Sequence, residues 1–302
     1  MADDSPPVFV IESAEFDHPI AEAVWWACIS ELRAIKPGNV SVFSEGHGMR
    51  VGDFTNSAKC IAQILAQPDI SVGERIIQSV RGTWRLVGRN TNLGIILLAA
   101  SLTHAALKLD RPNTLQDQLK LELDTLGVND TRLTFDAIRL ASPAGLGSSD
   151  KHDVTGEAKA PLLQVMRVAE HRDRIAKQYT SGYEDIFDYG LPLYNELIDS
   201  GMREDWATAG VYLGFLKQFP DTHIQRKQGA DTAEAVRREA LNLYTQFMRA
   251  EQPELVRPRL QAYDEKLKQQ CINPGTSADL TVATLLAYRL ELIANQADGS
   301  SA

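Results

Sequence analysis

Cysteine is scarce in this chain, and its scarcity excludes a fold held together by disulfides. The 302 residues include three cysteines, Cys28, Cys60 and Cys271, which form no CxxC pair. Each lies in or beside an apolar helical pattern, where buried and reduced thiols are common. Reduced thiols are typical of the cytoplasm, and we therefore expect a cytoplasmic protein.

Positive charge and long apolar runs are also in short supply. Lys and Arg number 31 against 40 Asp and Glu, the formal net charge is −9, and no Lys/Arg-rich run occurs. We therefore expect neither a nucleic-acid nor a membrane partner. The longest apolar stretch, residues 93–107, is shorter than the roughly 20 residues of a bilayer-spanning helix, and it predicts a buried core helix.

Alternating β-strand patterns are nearly absent, and residues 6–12 form the only weak candidate. Apolar residues at helical spacing predict an all-α fold instead. We expect a single compact multi-helix domain over residues 15–296, with flexible termini at 1–14 and 297–302. The predicted helices span residues 18–35, 52–67, 71–87, 92–109, 131–142, 161–178, 204–219, 231–251 and 277–296.

Polar residues and glycines concentrate between the helices. In "KPGNVS", Lys36 ends a helix, where a cation on the helix dipole is the ordinary explanation. In "EGHGMRVGDFTNSA", His47 stands between two glycines. In "GRNTNLG", Asn90 and Asn92 precede the wholly apolar helix, whose buried first amides need a polar partner. A capping side chain and a ligand phosphate both satisfy that need.

A glycine-rich segment, "ASPAGLGSSDKHDV", carries a second group of reactive side chains. His152 and Asp153 are candidates for a base or for metal ligands, and the glycines permit close approach of a backbone to a ligand. The likeness to a phosphate-binding loop is loose, because no P-loop Lys-Ser/Thr pair follows.

Two later segments have the same character. "DTHIQRKQG" brings Arg226 and Lys227 together, as either a phosphate contact or a solvated charge cluster. "CINPGTSADL" begins the last helix, and its Thr276 and Asp279 have the spacing of a capping pair. A cap alone leaves the crowding of polar groups around it unexplained.

The helix ends, taken together, predict a polar cleft. In a compact helical domain several such ends can converge, so that helix N-termini bind anions through their free amides. Acidic residues in the same cleft could hold Mg²⁺. The residues therefore predict a polyphosphate site without a known nucleotide-binding motif.

The same segments resemble the triphosphoribosyl-dephospho-CoA synthase family over roughly residues 20–295. The resemblance rests on seven motifs in the family's order: "KPGNV", "GHGMRVGDFTNSA", "NTNLG", "PAGLGSSDKHDV", "GYEDIFDYGLP", "FPDTHIQRKQG" and "GTSADL".

The resemblance implies a transferase that joins ATP to dephospho-CoA and releases adenine. A ribose hydroxyl of dephospho-CoA would displace adenine at the anomeric carbon of ATP. That step needs a base for the hydroxyl, an acid for adenine and stabilisation of positive charge on the ribose. It also implies Mg²⁺ on the triphosphate and small-molecule partners, namely ATP with dephospho-CoA or another phosphorylated acceptor. It leaves a homodimer open.

The matching positions give a set of candidate site residues. The catalytic candidates are His152, Asp153 and Asp279, and the metal candidates are Asp153, Asp185 and Asp188. The candidates for substrate or phosphate binding are Lys36, Asn39, His47, Asn90, Asn92, Gly94, Arg226, Lys227 and Ser277.

Some family positions differ here, and they keep two alternatives open. Met49 stands where the family's His-x-Asp-Met has its Asp, and Asn92-Leu93 replaces a His-Lys pair. One alternative is a divergent member with another substrate, in the biosynthesis of the C1 carriers tetrahydromethanopterin or methanofuran. The other is a non-catalytic helical binding protein, which predicts that His47, Asp153 and Asp279 do not converge.

Overall fold

A computed structural model describes residue 11 and residues 13–110, 112–143 and 152–299. Over these ranges the protein is a compact all-α domain, as predicted, and its β pairing is limited to two isolated bridges, Ser41 with Ser44 and Gly46 with Met49. The weak strand candidate at 6–12 lies outside the described residues except for Ile11.

The α-helices are α1 Pro19–Arg33, α2 Val51–Leu65, α3 Val72–Val87, α4 Leu93–Leu107, α5 Leu115–Thr125, α6 Val128–Ala141, α7 Leu162–Ala169, α8 Arg174–Ser181, α9 Leu191–Asp199, α10 Glu204–Gln218, α11 Thr222–Gln228, α12 Ala230–Arg249, α13 Arg257–Gln269 and α14 Gly275–Gly299. A π-helix at Asp185–Gly190 precedes α9, and a 3₁₀ turn at Pro253–Val256 precedes α13.

One predicted helix, residues 161–178, is wrong as a single element because the chain forms α7 and α8 there. Asp173 begins α8, since its Oδ1 accepts from the amides of Ile175 at 2.9 Å and Ala176 at 3.2 Å. An aspartate that caps a new helix start competes with continuation of the old helix. At the other end of the chain, α14 continues to Gly299, beyond the predicted boundary at 296.

The centre of the molecule is formed by α4 and α14, which pack on α1 and α10. Leu98 on α4 and Leu285 on α14 are fully buried, and for α4 its all-round apolar composition predicts this. Burial of such a side chain contributes about 1.5–3 kcal/mol. No helix in the described ranges is long and apolar enough to cross a membrane. The rigid core fixes where the N-termini of α4 and α14 lie.

Helices α3 and α6 run parallel, and this brings their C-terminal ends together. The amide of Gly73 donates to Asp130 Oδ1 at 2.9 Å, and a Cβ at position 73 would come within 2.7 Å of the Asp130 Cα. The first turns of the two helices are therefore in contact. Their last turns reach the same cavity, where Trp84 and Ile138 lie in its wall.

Candidate active site

Helix ends surround a cavity of about 550 Å³. The N-termini of α4 and α14, the C-terminal ends of α3 and α6, and side chains of α11 all reach it. The predicted site residues that line it are Asn39, His47, Asn90, Asn92, Gly94, Arg226, Lys227 and Asp279. The polar cleft expected from the sequence is therefore present.

Asp279 forms part of the cavity wall at the point where α4 and α14 touch. Its carboxylate lies so close to Gly94 that no side chain would fit at position 94. None of the described residues hydrogen-bonds to this carboxylate. Burial, followed by the charges of Asp221, Glu31 and Asp173, raises its pKa well above the usual range. Asp279 thus favours its protonated form more than an exposed aspartate does, and it lies in the cavity wall.

The cap of α14 comes from Asp221, a residue distant in sequence. Its Oδ2 accepts from the amide and the hydroxyl of Ser277, both at 2.8 Å, and its Oδ1 accepts from the amides of His223 and Ile224. One buried carboxylate therefore caps both α11 and α14. Ser277, a predicted substrate contact, is completely buried, uses its hydroxyl on Asp221 and does not line the cavity.

The expected capping pair at the start of α14 is not formed. The hydroxyl of Thr276 accepts from the amide of His223 at 3.1 Å and bonds the hydroxyl of Thr222 at 3.0 Å. The spacing of Thr276 and Asp279 alone could not reveal this, because the actual partners lie on α11. Asp279 is therefore left for the cavity.

Lys36, another predicted phosphate contact, is a buried framework residue. Its ammonium donates to Glu31, to Asn39 Oδ1 at 2.8 Å and to the carbonyl of Val40 at 2.8 Å. Those three bonds use all three of its N–H donors. Lys36 does not line the cavity, but Glu31 and Asn39 do. Lys36 therefore holds Glu31 and Asn39 in the cavity wall and is not itself placed to contact a phosphate.

The cationic side of the cavity is formed by α11 and the loop that contains His47. Arg226 pairs with Asp173 at 3.3 Å, and Lys227 lies exposed beside it. Burial, with the charges of Lys227, Arg226 and His47, lowers the pKa of His223 to about 3. His223 is therefore neutral at physiological pH, and its buried Nε2 has no hydrogen-bond partner. This side fits the negative charge of phosphate groups.

At the start of α4, Asn90 and Asn92 have different environments. Asn90 Oδ1 accepts from the amide of Leu93 at 3.1 Å and so caps the helix. Asn92 is 5% exposed, makes no capping bond, and its Nδ2 has no partner. Both side chains line the cavity.

An apolar wall faces the cavity from α2, the residues just before it and α3, and no sequence motif predicts it. It comprises Met49, Phe54 and Trp84, and Trp84 is 38% exposed. Phe54 and Trp84 fall on helix faces, where an aromatic residue normally indicates core packing. Arg89 also lines the cavity and donates to the carbonyl of Gly48, which holds the His47 loop against the end of α3.

The predicted catalytic pair His152 and Asp153 does not line the cavity. Asp153 Oδ1 accepts from the amide of Thr155 at 2.8 Å and from its hydroxyl at 2.5 Å, which is a local turn. The glycines and Asp150 of the same segment lie outside the described residues. The catalytic role of the pair stays a prediction.

The predicted metal ligands are not brought together at the cavity. Asp185 is held by Arg174 in a bidentate ion pair, with distances of 2.6 and 2.7 Å, and Asp188 is exposed on the π-helix. Over the described ranges no cluster of three or more His, Cys, Asp or Glu could hold a metal ion. The carboxylates that do line the cavity are Glu31, Asp173 and Asp279.

The cavity thus defines a class of protein, a helical one with a small-molecule site. It combines cations on one side, a carboxyl group in the wall and an aromatic surface on another side, and this mixture of apolar surface with a few polar groups is typical of such sites. Of the three residues that a non-catalytic protein was expected to keep apart, His47 and Asp279 line the same cavity and Asp153 does not.

The comparisons with known proteins define the family. A family model described as ATP:dephospho-CoA triphosphoribosyl transferase matches residues 17–297, and the chain belongs to this family of transferases. The fold is similar to the crystal structure of a candidate triphosphoribosyl-dephospho-CoA synthase from Archaeoglobus fulgidus, with a TM-score of 0.58 and 22% sequence identity. That likeness covers 79% of this chain and 97% of the other. No curated protein matches.

Proposed function

We propose that the cavity binds ATP and carries out the ribosyl transfer of this family, with Asp279 at the reacting carbon. The observation that carries the proposal is the environment of Asp279, a cavity carboxyl group without a hydrogen-bond partner and with a raised pKa. An unpaired polar group in a wall is unfavourable for folding, so its presence indicates a ligand that completes it.

The triphosphate is assigned to the cationic side. Arg226 and Lys227 of α11 supply positive charge there, and both line the cavity. Because Asp279 and Glu31 are acidic, the phosphates fit at α11 and not beside these carboxyl groups.

The adenine ring is assigned to the apolar wall. Trp84 and Phe54 present flat surfaces to the cavity, and stacking on an aromatic side chain is worth about 1–3 kcal/mol per base. Placing the ring there and the phosphates at α11 puts the ribose between them, next to Asp279.

The chemistry is then acid catalysis at a glycosidic bond. The bond between ribose C1′ and adenine N9 breaks, and a bond from C1′ to a ribose hydroxyl oxygen of dephospho-CoA forms. Asp279 in its protonated form donates a proton to adenine as it departs. Its ionised form, with Glu31 nearby, then faces the positive charge on the ribose and stabilises it. The attacking hydroxyl gives its proton to the Asp279 carboxylate as the new bond forms, which restores the acid for the next turnover.

The donor set of the cavity fits Mg²⁺, which commonly binds through one or two carboxylates together with substrate phosphates. Asp173 is the best-placed carboxylate, because it lies beside Arg226 on the cationic side. When bound, Mg²⁺ neutralises triphosphate charge. Asp173 thus takes the place of the ligands expected from the sequence. We also propose that the protein acts in the cytoplasm, where both substrates are available and cysteines stay reduced.

A turnover assay tests the proposal. Purified protein receives ATP, Mg²⁺ and dephospho-CoA, and mass spectrometry follows free adenine and the triphosphoribosyl adduct. Appearance of both in equal amounts is the expected result. ATP binding without adenine release would overturn the assigned acceptor, and no ATP binding would overturn the assignment of the cavity.

A further inference from the structure

We infer that Asn92 reads a ribose hydroxyl of the bound nucleotide, so that the cavity selects ATP over its deoxyribose analogues. This inference rests on the proposed function, because it assumes that ATP occupies the cavity. It adds a residue that sets specificity for the sugar.

The first argument is that Asn92 has no structural task that explains its amide. The residue is 5% exposed, and its Nδ2 finds no partner. It occupies the N-cap position of α4, where an asparagine side chain normally accepts from the first turn. That bond is made instead by Asn90 at 3.1 Å. An unpaired buried amide costs about 1–3 kcal/mol, so capping does not account for its presence.

The second argument is its position beside Asp279. Gly94, two residues after Asn92, is in contact with the Asp279 carboxyl group across the junction of α4 and α14. An unpaired N–H donor at the start of α4 and an unpaired carboxyl group on α14 therefore line the same cavity, on two helices that touch there. Because the carbonyl oxygen of a carboxyl group accepts hydrogen bonds in either protonation state, the two groups are complementary to a ligand that accepts from Asn92 and donates to Asp279.

The third argument identifies that ligand as a hydroxyl group. A hydroxyl both accepts and donates, whereas a phosphate oxygen only accepts and would be repelled by acidic neighbours. Glu31 and Asp173 add negative charge around Asp279. The phosphate-binding cations lie instead on α11. With Asp279 at the anomeric carbon, the hydroxyl within reach of Asn92 belongs to the ribose of ATP.

The test compares ATP with its 2′-deoxy and 3′-deoxy analogues by isothermal titration calorimetry on the full chain with Mg²⁺. We expect the wild-type protein to bind ATP about tenfold more tightly than at least one analogue, since one hydrogen bond is worth about 1 kcal/mol or somewhat more. In Asn92→Ala, the affinity for ATP should fall to the affinity for that analogue, while the affinity for the analogue should stay unchanged. The ratio of the two dissociation constants should approach one.

The ratio separates recognition from a structural effect. If Asn92 had a merely structural role, Asn92→Ala would weaken the binding of ATP and of the analogue equally. The ratio of the two dissociation constants would then stay as in the wild type, which would overturn the inference. Asn129→Ala is the matched control, because Asn129 is exposed on α6 and lies outside the cavity. If Asn92→Ala fails to fold, Asn92→Ser replaces it, since it also removes the amide donor.

Two further outcomes are distinguishable. Equal affinity of the wild-type protein for ATP and for both analogues would overturn the inference and leave the proposed function standing. Asn92→Ala could also weaken the binding of GTP and of ATP equally and leave the ratio between ATP and its deoxy analogues unchanged. That result would assign the Asn92 amide to a part of the nucleotide other than the sugar and would overturn the inference. If the wild-type protein binds no nucleotide, the proposed function fails, and the inference fails with it.

Discussion

Asp221 and Asp279 lie on either side of the same helix start, and their surroundings are opposite. Asp221 accepts four hydrogen bonds, from two amides of α11 and from the amide and hydroxyl of Ser277. Asp279 accepts none from the described residues and faces the cavity. Asp221 therefore joins α11 to α14, whereas Asp279 is placed to bind a ligand. At this helix start, the paired carboxylate belongs to the framework and the unpaired one to the cavity wall.

The same contrast appears in two other pairs. Asn90 caps α4 while Asn92 leaves its amide unpaired, and Lys36 is saturated while Lys227 lies exposed at the cavity. Substitutions of the paired members should therefore reduce stability, and substitutions of the unpaired members should reduce activity or binding.

The largest effect is expected for Asp279→Asn in the turnover assay. Loss of a positioned acid typically costs about 10²–10⁴-fold in rate, and we expect kcat to fall within that range. Asp199→Asn is the matched control, since Asp199 is exposed on α9 and lies outside the cavity. A turnover number for Asp279→Asn within a few-fold of wild type would remove this carboxyl group from the mechanism.

Lys36→Met tests the paired residues, and it should lower the free energy of unfolding. It leaves the buried Glu31 carboxylate without its cation, which typically costs about 3–5 kcal/mol of unfolding free energy. Urea denaturation followed by circular dichroism measures this loss. The double variant Glu31→Gln with Lys36→Met should regain much of it, because no buried charge remains.

Lys227→Met is the counterpart on the binding side. We expect an unfolding free energy within about 0.5 kcal/mol of wild type, as for other exposed positions. ATP affinity should fall, and its dependence on salt should weaken because one cation is lost. Full stability of Lys36→Met, or a large destabilisation by Lys227→Met, would contradict the division into paired and unpaired members.

Asp221→Ala removes the cap of α11 and α14 together. Each cap is worth about 1 kcal/mol, and buried donors without partners add to the loss, so we expect about 2–4 kcal/mol. The comparison variant is Asp117→Ala, since Asp117 caps only the exposed start of α5. Equal stability of the two variants would show that the double cap contributes nothing beyond a single one.

Trp84→Ala should have a modest effect, and on binding alone. Loss of a stacking surface should raise the dissociation constant for ATP about tenfold, which corresponds to the lower end of measured stacking energies. Leu86→Ala lies on the same helix, is 62% exposed and does not line the cavity, so ATP affinity should be unaffected there. Equal affinities of the two variants would place adenine elsewhere.

Much of this fold could be predicted from apolar periodicity. The long helices α3, α4 and α10 have extended apolar faces, and the buried helix at 93–107 is found as expected. Short helices such as α5 and α11 were not predicted, because seven to eleven residues give little periodic signal. The division of 161–178 depends on the cap at Asp173, which a continuous apolar pattern conceals.

The candidate site was predictable only where it lies at helix ends. His47, Arg226 and Asp279 stand in polar segments between helices, and all three line the cavity. Glu31 and Trp84 also line it but lie on helical faces, where their residue types look ordinary.

The opposite error concerns Ser277, which looks like a substrate contact until its partner is known. Asp221, the group that it binds, is 56 residues away in sequence. Spacing within one helix start cannot reveal such a partner, so pairing between distant segments has to be read from the structure.

The unfolding free energy of Asp279→Asn against wild type, measured at neutral pH and again near pH 4, tests the central claim most directly. A raised pKa means that the folded state favours the protonated form, so wild-type stability declines as pH rises above the ordinary carboxyl pKa. The uncharged asparagine avoids that loss. We therefore predict a variant that is inactive yet more stable than wild type at neutral pH, with the difference shrinking near pH 4. A variant less stable at neutral pH would contradict the account, because Asp279 would then belong to the framework.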